Sequence, residues 1–192
     1  MNVPLLAAVE ILARLQGSYD ATVDLKAAFK QTWENPAYGQ TRTAYGYVYL
    51  KKPGRMRWNY VSPDRKSLVS DGRTLWVYEE EDGQVFRQDV RDAGLPGSAA
   101  FLLGGKKLVE EFDVAIEEGS QLGGPGRIVL RLVPKVPTAQ YQQLLFVVDE
   151  RDWLVHESII VAHQGSQNRL VFTNIERNTR GNSGSPLKQR AR

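Results

Sequence analysis

The chain has 192 residues, 42% apolar and 24% charged, which suits one globular domain with a real core and excludes a wholly disordered or collagen-like chain. Its formal charge of +3 is misleading as a guide to partners: from Arg177 to Arg192 there are five basic residues and no acidic ones, so residues 1–176 carry 20 basic and 22 acidic groups. The absence of cysteine excludes disulfides, thiol chemistry and thiolate zinc sites, and no stretch approaches the roughly 20 apolar residues of a membrane-spanning helix.

The first element is an amphipathic helix from Pro4 to Leu15. Leu5, Ala8, Val9, Leu12 and Leu15 fall at helical spacing, Pro4 suits a first turn, and Gly17 offers a stop. No basic segment, apolar run and small-residue cleavage site precede it. Leu25 to Trp33 then reads as a strand. From Thr41 to Lys51 the alternation is long, with Ala44, Gly46, Val48 and Leu50 on one side and Tyr45, Tyr47 and Tyr49 on the other. Both faces of that sheet must meet something, and Gly46 would ease a bend.

Pro53-Gly54 marks a tight turn into a strand from Met56 to Tyr60. Ser67 to Ser70 and Thr74 to Tyr78 form a hairpin about Asp71-Gly72, and Asp82-Gly83 turns the chain into Val85 to Val90. Between Pro96 and Phe112 the pattern becomes two short helical pieces separated by Gly104-Gly105, an insert placed over a sheet face or an open mouth. Strands resume over Phe112–Glu117, Arg127–Val133, Gln143–Val148, Trp153–Val161 and Asn168–Ile175. These make about ten or eleven strands, and a sheet of that size curls or closes. The domain runs from residue 1 to 178, and residues 179–192 form a polar, basic tail expected to be disordered.

No catalytic or metal-binding pattern emerges. His156 and His163 are seven apart, which on one unbroken strand would place them on opposite faces. Glu79 to Asp82 lacks the alternating oxygen ligands of a calcium loop and reads as a solvated hairpin tip. Gly104-Gly105-Lys106-Lys107 lacks the spacing of a phosphate loop, and the Gly-x-Ser-x-Gly of a hydrolase is absent. In Lys51 to Tyr60, basic and aromatic residues interleave as they do in single-strand nucleic-acid binders. Because the body is not basic, a solvated turn with Trp58 in the core is preferred.

One resemblance adds to this reading. Lys52-Pro53-Gly54-Arg55-Met56-Arg57-Trp58, followed by Ser70-Asp71-Gly72 and Leu75-Trp76-Val77-Tyr78, resembles the signature of the LolA family. The N-terminal helix, the strand carrying Phe29 and Gln31, and Leu132-Val133-Pro134-Lys135 fall in the family's order, so the likeness spans roughly residues 4–178. The resemblance implies a mainly β fold, an unclosed antiparallel β barrel with a helical lid over an apolar cavity. It implies a periplasmic, monomeric carrier without a cofactor and without stable membrane insertion, whose signal peptide is absent from this sequence. Such a carrier shelters the acyl chains of lipoproteins, which it takes from an inner-membrane release transporter to an outer-membrane receptor. Leu12, Leu15, Phe29, Trp58, Phe101, Leu102 and Leu103 would line the cavity or its lid. Lys52 would latch the lid, and Met56 would lie near the partner-facing rim. Two departures stand out: lysine at position 52 replaces the family's arginine, and Asn178 leads into the basic tail where the family has a final strand. A sensor module of the same fold that binds lipid or lipoprotein without transferring it is the alternative; a nucleic-acid-binding barrel is the other rival.

Overall fold

The computed structural model describes residues 5–89 and 107–179. Its core element is an 11-stranded antiparallel sheet that does not close, with two helices among the described residues. Helix α1 spans Leu5–Asp20 and precedes β1 (Asp24–Asn35). A 3₁₀ turn, Pro36–Tyr38, capped by the Asn35 side chain and by Gly39 in the left-handed region, reverses the chain into β2 (Gln40–Lys51). The meander continues through β3 (Arg55–Ser62), β4 (Lys66–Ser70), β5 (Thr74–Glu79) and β6 (Gln84–Asp89). After residue 107 come the short helix α2 (Leu108–Glu111), β7 (Phe112–Ile116), β8 (Arg127–Pro134), β9 (Gln143–Asp149), β10 (Leu154–Val161) and β11 (Gln167–Arg177).

The spatial order is β6-β5-β4-β3-β2-β1-β11-β10-β9-β8-β7. Two meanders are therefore joined where the first strand meets the last, and β6 and β7 are the two edges. The central pairing runs from Leu25 opposite Arg177 to Glu34 opposite Gln167. Bulges between Lys26 and Ala28, between Tyr45 and Gly46, and between Val155 and Glu157 break the ladders and sharpen the local twist. That twist lets the sheet curl around its apolar inner face.

Period-two alternation sends Ala27 and Phe29, Val48 and Leu50, Met56 and Trp58, and Leu144, Phe146 and Val148 to that inner face, where all are buried. Leu12, Leu15 and Tyr19 of α1 enter the same cluster, one helical turn apart, and α1 packs against β7, β10 and α2. Among the described residues the expected helix and strands are present, with two adjustments. The helix does not stop at Gly17 but continues to Asp20, with Ala21 N–H donating to the Gly17 carbonyl. Its last carbonyls accept from Thr22, whose hydroxyl donates to the Ser18 carbonyl at 2.8 Å and whose N–H donates to the Tyr19 carbonyl at 3.0 Å, and from the distant Lys52. His163 lies beyond the end of β10, and a bulge precedes Glu157, so the two histidines do not share an unbroken strand. As expected, β7 begins at Phe112, directly after α2.

Candidate functional site: the inner face and its helix latch

The inner face is richest in aromatics where β1, β2, β3 and β11 lie side by side. The Phe29 ring lies 5.0 Å from the ring centres of both Trp58 and Tyr60, and Trp58 lies 6.2 Å from Phe172. The register explains the grouping: Phe29 is opposite Phe172 on one side and opposite Gly46 on the other. Gly46 leaves room for this cluster, since a Cβ there would fall 2.6 Å from the Phe29 ring and 2.1 Å from the Asn59 carbonyl oxygen.

Coverage of the face is uneven. Beside α1 and on β8 and β9, Leu15, Leu130, Leu132, Leu144 and Phe146 are fully buried. Toward the β6 edge, Tyr60, Leu68 and Val77 are only partly buried, and Phe86, opposite Val77, is half exposed. The apolar surface thus grades from packed core to an accessible strip without a break.

One end of the sheet is stopped by the C-terminal turn of α1, held by polar contacts from three places. Lys52, in the β2–β3 turn, donates from Nζ to the Tyr19 carbonyl and lies 3.5 Å from the Asp20 carbonyl. A cation at a helix C-terminus satisfies orphan carbonyls and complements the helix dipole. From the β9–β10 turn and the adjoining start of β10, the Asp152 carbonyl accepts the Ser18 hydroxyl at 2.9 Å, and the Val155 N–H donates to the Tyr19 hydroxyl at 3.1 Å. From β11, Arg177 donates to the Ser18 hydroxyl. Burial pushes the Tyr19 phenol well above its ordinary range, so it stays neutral.

The two turns that carry the sequence motifs touch each other. Gly54 and Gly72, both with positive φ, approach so closely that a Cβ on Gly54 would lie 2.9 Å from the Gly72 Cα. Asp71 organises the second turn by accepting the Arg73 and Thr74 N–H groups at 2.8 Å each, and those bonds lower its carboxyl below the usual value. At the β9–β10 turn, Asp149 is buried and accepts from the Arg151 N–H at 3.0 Å and from its guanidinium at 2.9 and 2.6 Å. The Arg151 contacts hold its carboxyl far below the normal range.

Of the residues singled out by sequence, Leu12, Leu15, Phe29 and Trp58 meet in one cluster, and Lys52 reaches α1. Phe101, Leu102 and Leu103 lie outside the described residues. Met56 does not sit at the rim: it is 3% exposed, with its side chain in the core between Leu50 and Ser70. Its even spacing from Trp58 on one strand carries that placement. The basic–aromatic interleaving of Lys51 to Tyr60 does not make a shared surface either, because Trp58 and Tyr60 point inward while Arg55 and Arg57 alternate to the other face. Tyr19 and Phe172 join the cluster of Phe29 and Trp58 and Tyr60 packs against it, and all three fit the periodicity of their elements. Among the described residues no group of three or more histidine, aspartate or glutamate side chains gathers as a metal site.

An open antiparallel sheet whose apolar inner face is stopped at one end by a latched helix defines a class of half-barrel binding folds. Within that class the chain belongs to the LolA family: the family profile described as "Outer membrane lipoprotein carrier protein LolA" matches residues 21–184, a non-enzymatic carrier family. A curated relative, the outer-membrane lipoprotein carrier protein of Alkalilimnicola ehrlichii, is 31% identical over 72% of this chain and 61% of its own length. The chain spans between about half and three fifths of the first such relatives it matches. Among solved structures, an uncharacterized conserved protein from Thermus thermophilus shares the fold with a TM-score of 0.58 at 12% identity, over 89% of this chain and 87% of that one. The MucA/MucB complex of Pseudomonas aeruginosa does so with a TM-score of 0.50 at 19% identity, over 90% and 57%. No helix among the described residues is long and apolar enough to cross a membrane.

Proposed function

We propose that this protein is a periplasmic chaperone that carries lipoproteins from an inner-membrane release transporter to an outer-membrane receptor, sheltering their acyl chains against its inner face. The observation that supports this most is the uneven inner face: one continuous apolar surface, closed under α1 and half exposed at Phe86 on the β6 edge. An acyl chain entering there removes apolar surface from water at about 0.8 kcal/mol per methylene, enough to drive transfer without covalent chemistry. Phe29 and Trp58 form the floor of the site, and Leu12 and Leu15 are the groups of α1 that an incoming chain displaces. Lys52 is the latch that sets how readily α1 gives way. At the apolar run Phe101 to Leu103, Leu102→Glu is expected to cut lipoprotein uptake while leaving the melting temperature unchanged.

The test is mass spectrometry of the protein isolated from a bacterial periplasm alongside a triacylated lipoprotein. Co-purification that disappears when the acyl chains are removed supports the carrier reading. Binding without release to an outer-membrane receptor would instead make it a lipid- or lipoprotein-sensing module of the same fold, the fold seen for MucB in its complex with MucA. Isolation of empty protein would defeat both.

A further inference from the structure

Across β1, β11 and β10 the inner face includes three uncharged polar side chains. Ser158 of β10 lies opposite Leu170 of β11 on one side and Phe146 of β9 on the other. Both neighbours belong to the core cluster, and directly opposed residues share a face, so the serine hydroxyl also faces inward. Ser158 is 1% exposed, and its Oγ has no hydrogen-bond partner among the described residues. Folded proteins pair nearly all their buried polar groups, so this hydroxyl marks the place of a partner that the chain itself does not supply.

The other two are Gln31 and Asn168. Gln31 is the next inward position of β1 beyond Phe29 and lies opposite Leu170; Asn168 lies two residues from Leu170 on β11, opposite Ile160. Ser158 and Asn168 are therefore diagonal neighbours, about 7–8 Å apart between Cα atoms. The Gln31 Nε2 donates to the Asn168 Oδ1 at 2.9 Å. That bond leaves the Asn168 Nδ2 as a donor and the Gln31 Oε1 as an acceptor. Asn168 is the second residue of β11, whereas the α1 latch is reached by Arg177 at its far end. The polar tier thus lies toward the end of the inner face away from the latch. In its two rows of side chains, from β1 across to β8, none is charged. Arg169 and Glu157, its neighbours in sequence, alternate to the opposite face, where they pair at 2.7 Å.

We propose that Ser158, Asn168 and Gln31 form a subsite for the uncharged polar head of an acyl-ester ligand, an inference that rests on the acyl-chain reading of the inner face. A diacylglyceryl group presents two ester carbonyls on adjacent carbons, and these accept from the Ser158 hydroxyl and the Asn168 amide. An amide-linked third chain presents an N–H, which the Gln31 Oε1 accepts. The chains then run toward the latched end of α1, past Phe29 and its aromatic neighbours. α1 packs against β10, so a ligand that displaces Leu12 and Leu15 opens the way to Ser158 and gives the buried hydroxyl its partner. The same tier rejects a fatty-acid carboxylate or a phosphate, because a buried anion without a counter-charge is strongly disfavoured. The subsite therefore selects acyl esters over other amphiphiles of equal chain length.

The experiment compares two synthetic lipopeptides on the full chain, by displacement of a fluorescent alkyl probe. One carries two ester-linked chains and one amide-linked chain; the other replaces both ester linkages by ethers at equal chain length. A hydrogen bond between uncharged groups contributes about two- to ten-fold to affinity, so the two lost carbonyls should weaken binding about ten-fold. Ser158→Ala should bind the ester compound several-fold more weakly and the ether compound no more weakly than wild type, which narrows the ratio. Its thermal melt should be unchanged or raised, since the substitution removes an unpartnered buried hydroxyl. Asn168→Ala should narrow the ratio as well. Equal binding of both compounds by the wild-type protein overturns the subsite and leaves the acyl-chain reading standing, and so does either variant that keeps the full ratio. Binding of neither compound overturns the acyl-chain reading and the subsite with it.

Discussion

Replacing Lys52 by methionine tests the latch directly. Methionine keeps most of the aliphatic stem, so the change removes the ammonium and little packing. The Tyr19 and Asp20 carbonyls lose the Lys52 donor, and the Tyr19 carbonyl keeps the Thr22 N–H at 3.0 Å. A charge-assisted hydrogen bond contributes about 1.5–3 kcal/mol, and the helix-terminus charge about 0.3–1 kcal/mol. The two overlap and the site is partly hydrated, so a loss of about 2 kcal/mol is expected. In urea, with a slope of about 2 kcal/mol per molar, the midpoint falls by about 1 M. Because the other α1 contacts, from Ser18 and Tyr19, survive, part of the loss should be local. Amide exchange in α1 should quicken by up to about 30-fold while β8 and β9 stay protected. Lys52→Arg restores a donor and a positive charge and should recover most of the stability. A methionine variant with the wild-type midpoint and unchanged exchange in α1 would refute the latch.

Other consequences can be checked by unfolding. Gly46→Ala should destabilise by about 3 kcal/mol or more, on the scale of severe core overpacking; because its Cβ meets the backbone oxygen of Asn59 as well as the Phe29 ring, adding Phe29→Leu should not rescue it. Tyr19→Phe strands the Val155 N–H and should cost about 1–3 kcal/mol by urea titration. The raised Tyr19 value adds stability that is complete below the unfolded phenol's pKa of about 10 and is lost as pH rises through the folded value. The phenylalanine variant should therefore show a flatter stability curve in alkali. Asp149 has the opposite sign: its depressed carboxyl gives stability that is present above about pH 4 and lost as pH falls toward the folded value. Asp149→Asn should lose about 2 kcal/mol at neutral pH and flatten the acid limb of the same titration.

What the sequence disclosed was local. Asp71-Gly72 and Pro53-Gly54 announce their turns because a short segment with φ > 0 needs glycine wherever it sits. The alternation through Tyr45 to Leu50 reports two faces because side chains along a strand must alternate. The end of α1 is not legible at Gly17, because part of what holds its last turn, the contacts with Lys52, Asp152 and Arg177, is distant in sequence. Gly46 was read as a bend, yet its stronger constraint is the closeness of Asn59 and Phe29, which depends on register. The family resemblance points Met56 to the rim, whereas its spacing from Trp58 assigns it inward, where it is buried. The pairing of β1 with β11 has no local signal at all; only the completed sheet brings Phe29 opposite Phe172.

That central pairing also governs how the chain can be assembled and rearranged. The first six strands can zip up in order as hairpins, but β1 keeps one bare edge until the last strand arrives, with the partners Val23 and Asn178 separated by 155 positions. Folding with such distant contacts is slow, so a growing chain stays uncommitted until almost all of it has emerged, which suits the export of an unfolded chain that the proposed periplasmic role requires. The same geometry brings the start of β1 and the end of β11 together, with the Val23 N–H donating to the Asn178 side chain at 2.8 Å. Because α1 precedes β1, a chain opened between β6 and α2 would need a linker from β11 to the far end of that 16-residue helix, about 24 Å away, to exchange the two meanders in order. The seam would then be bridged through α1, and the sheet would keep the same neighbours.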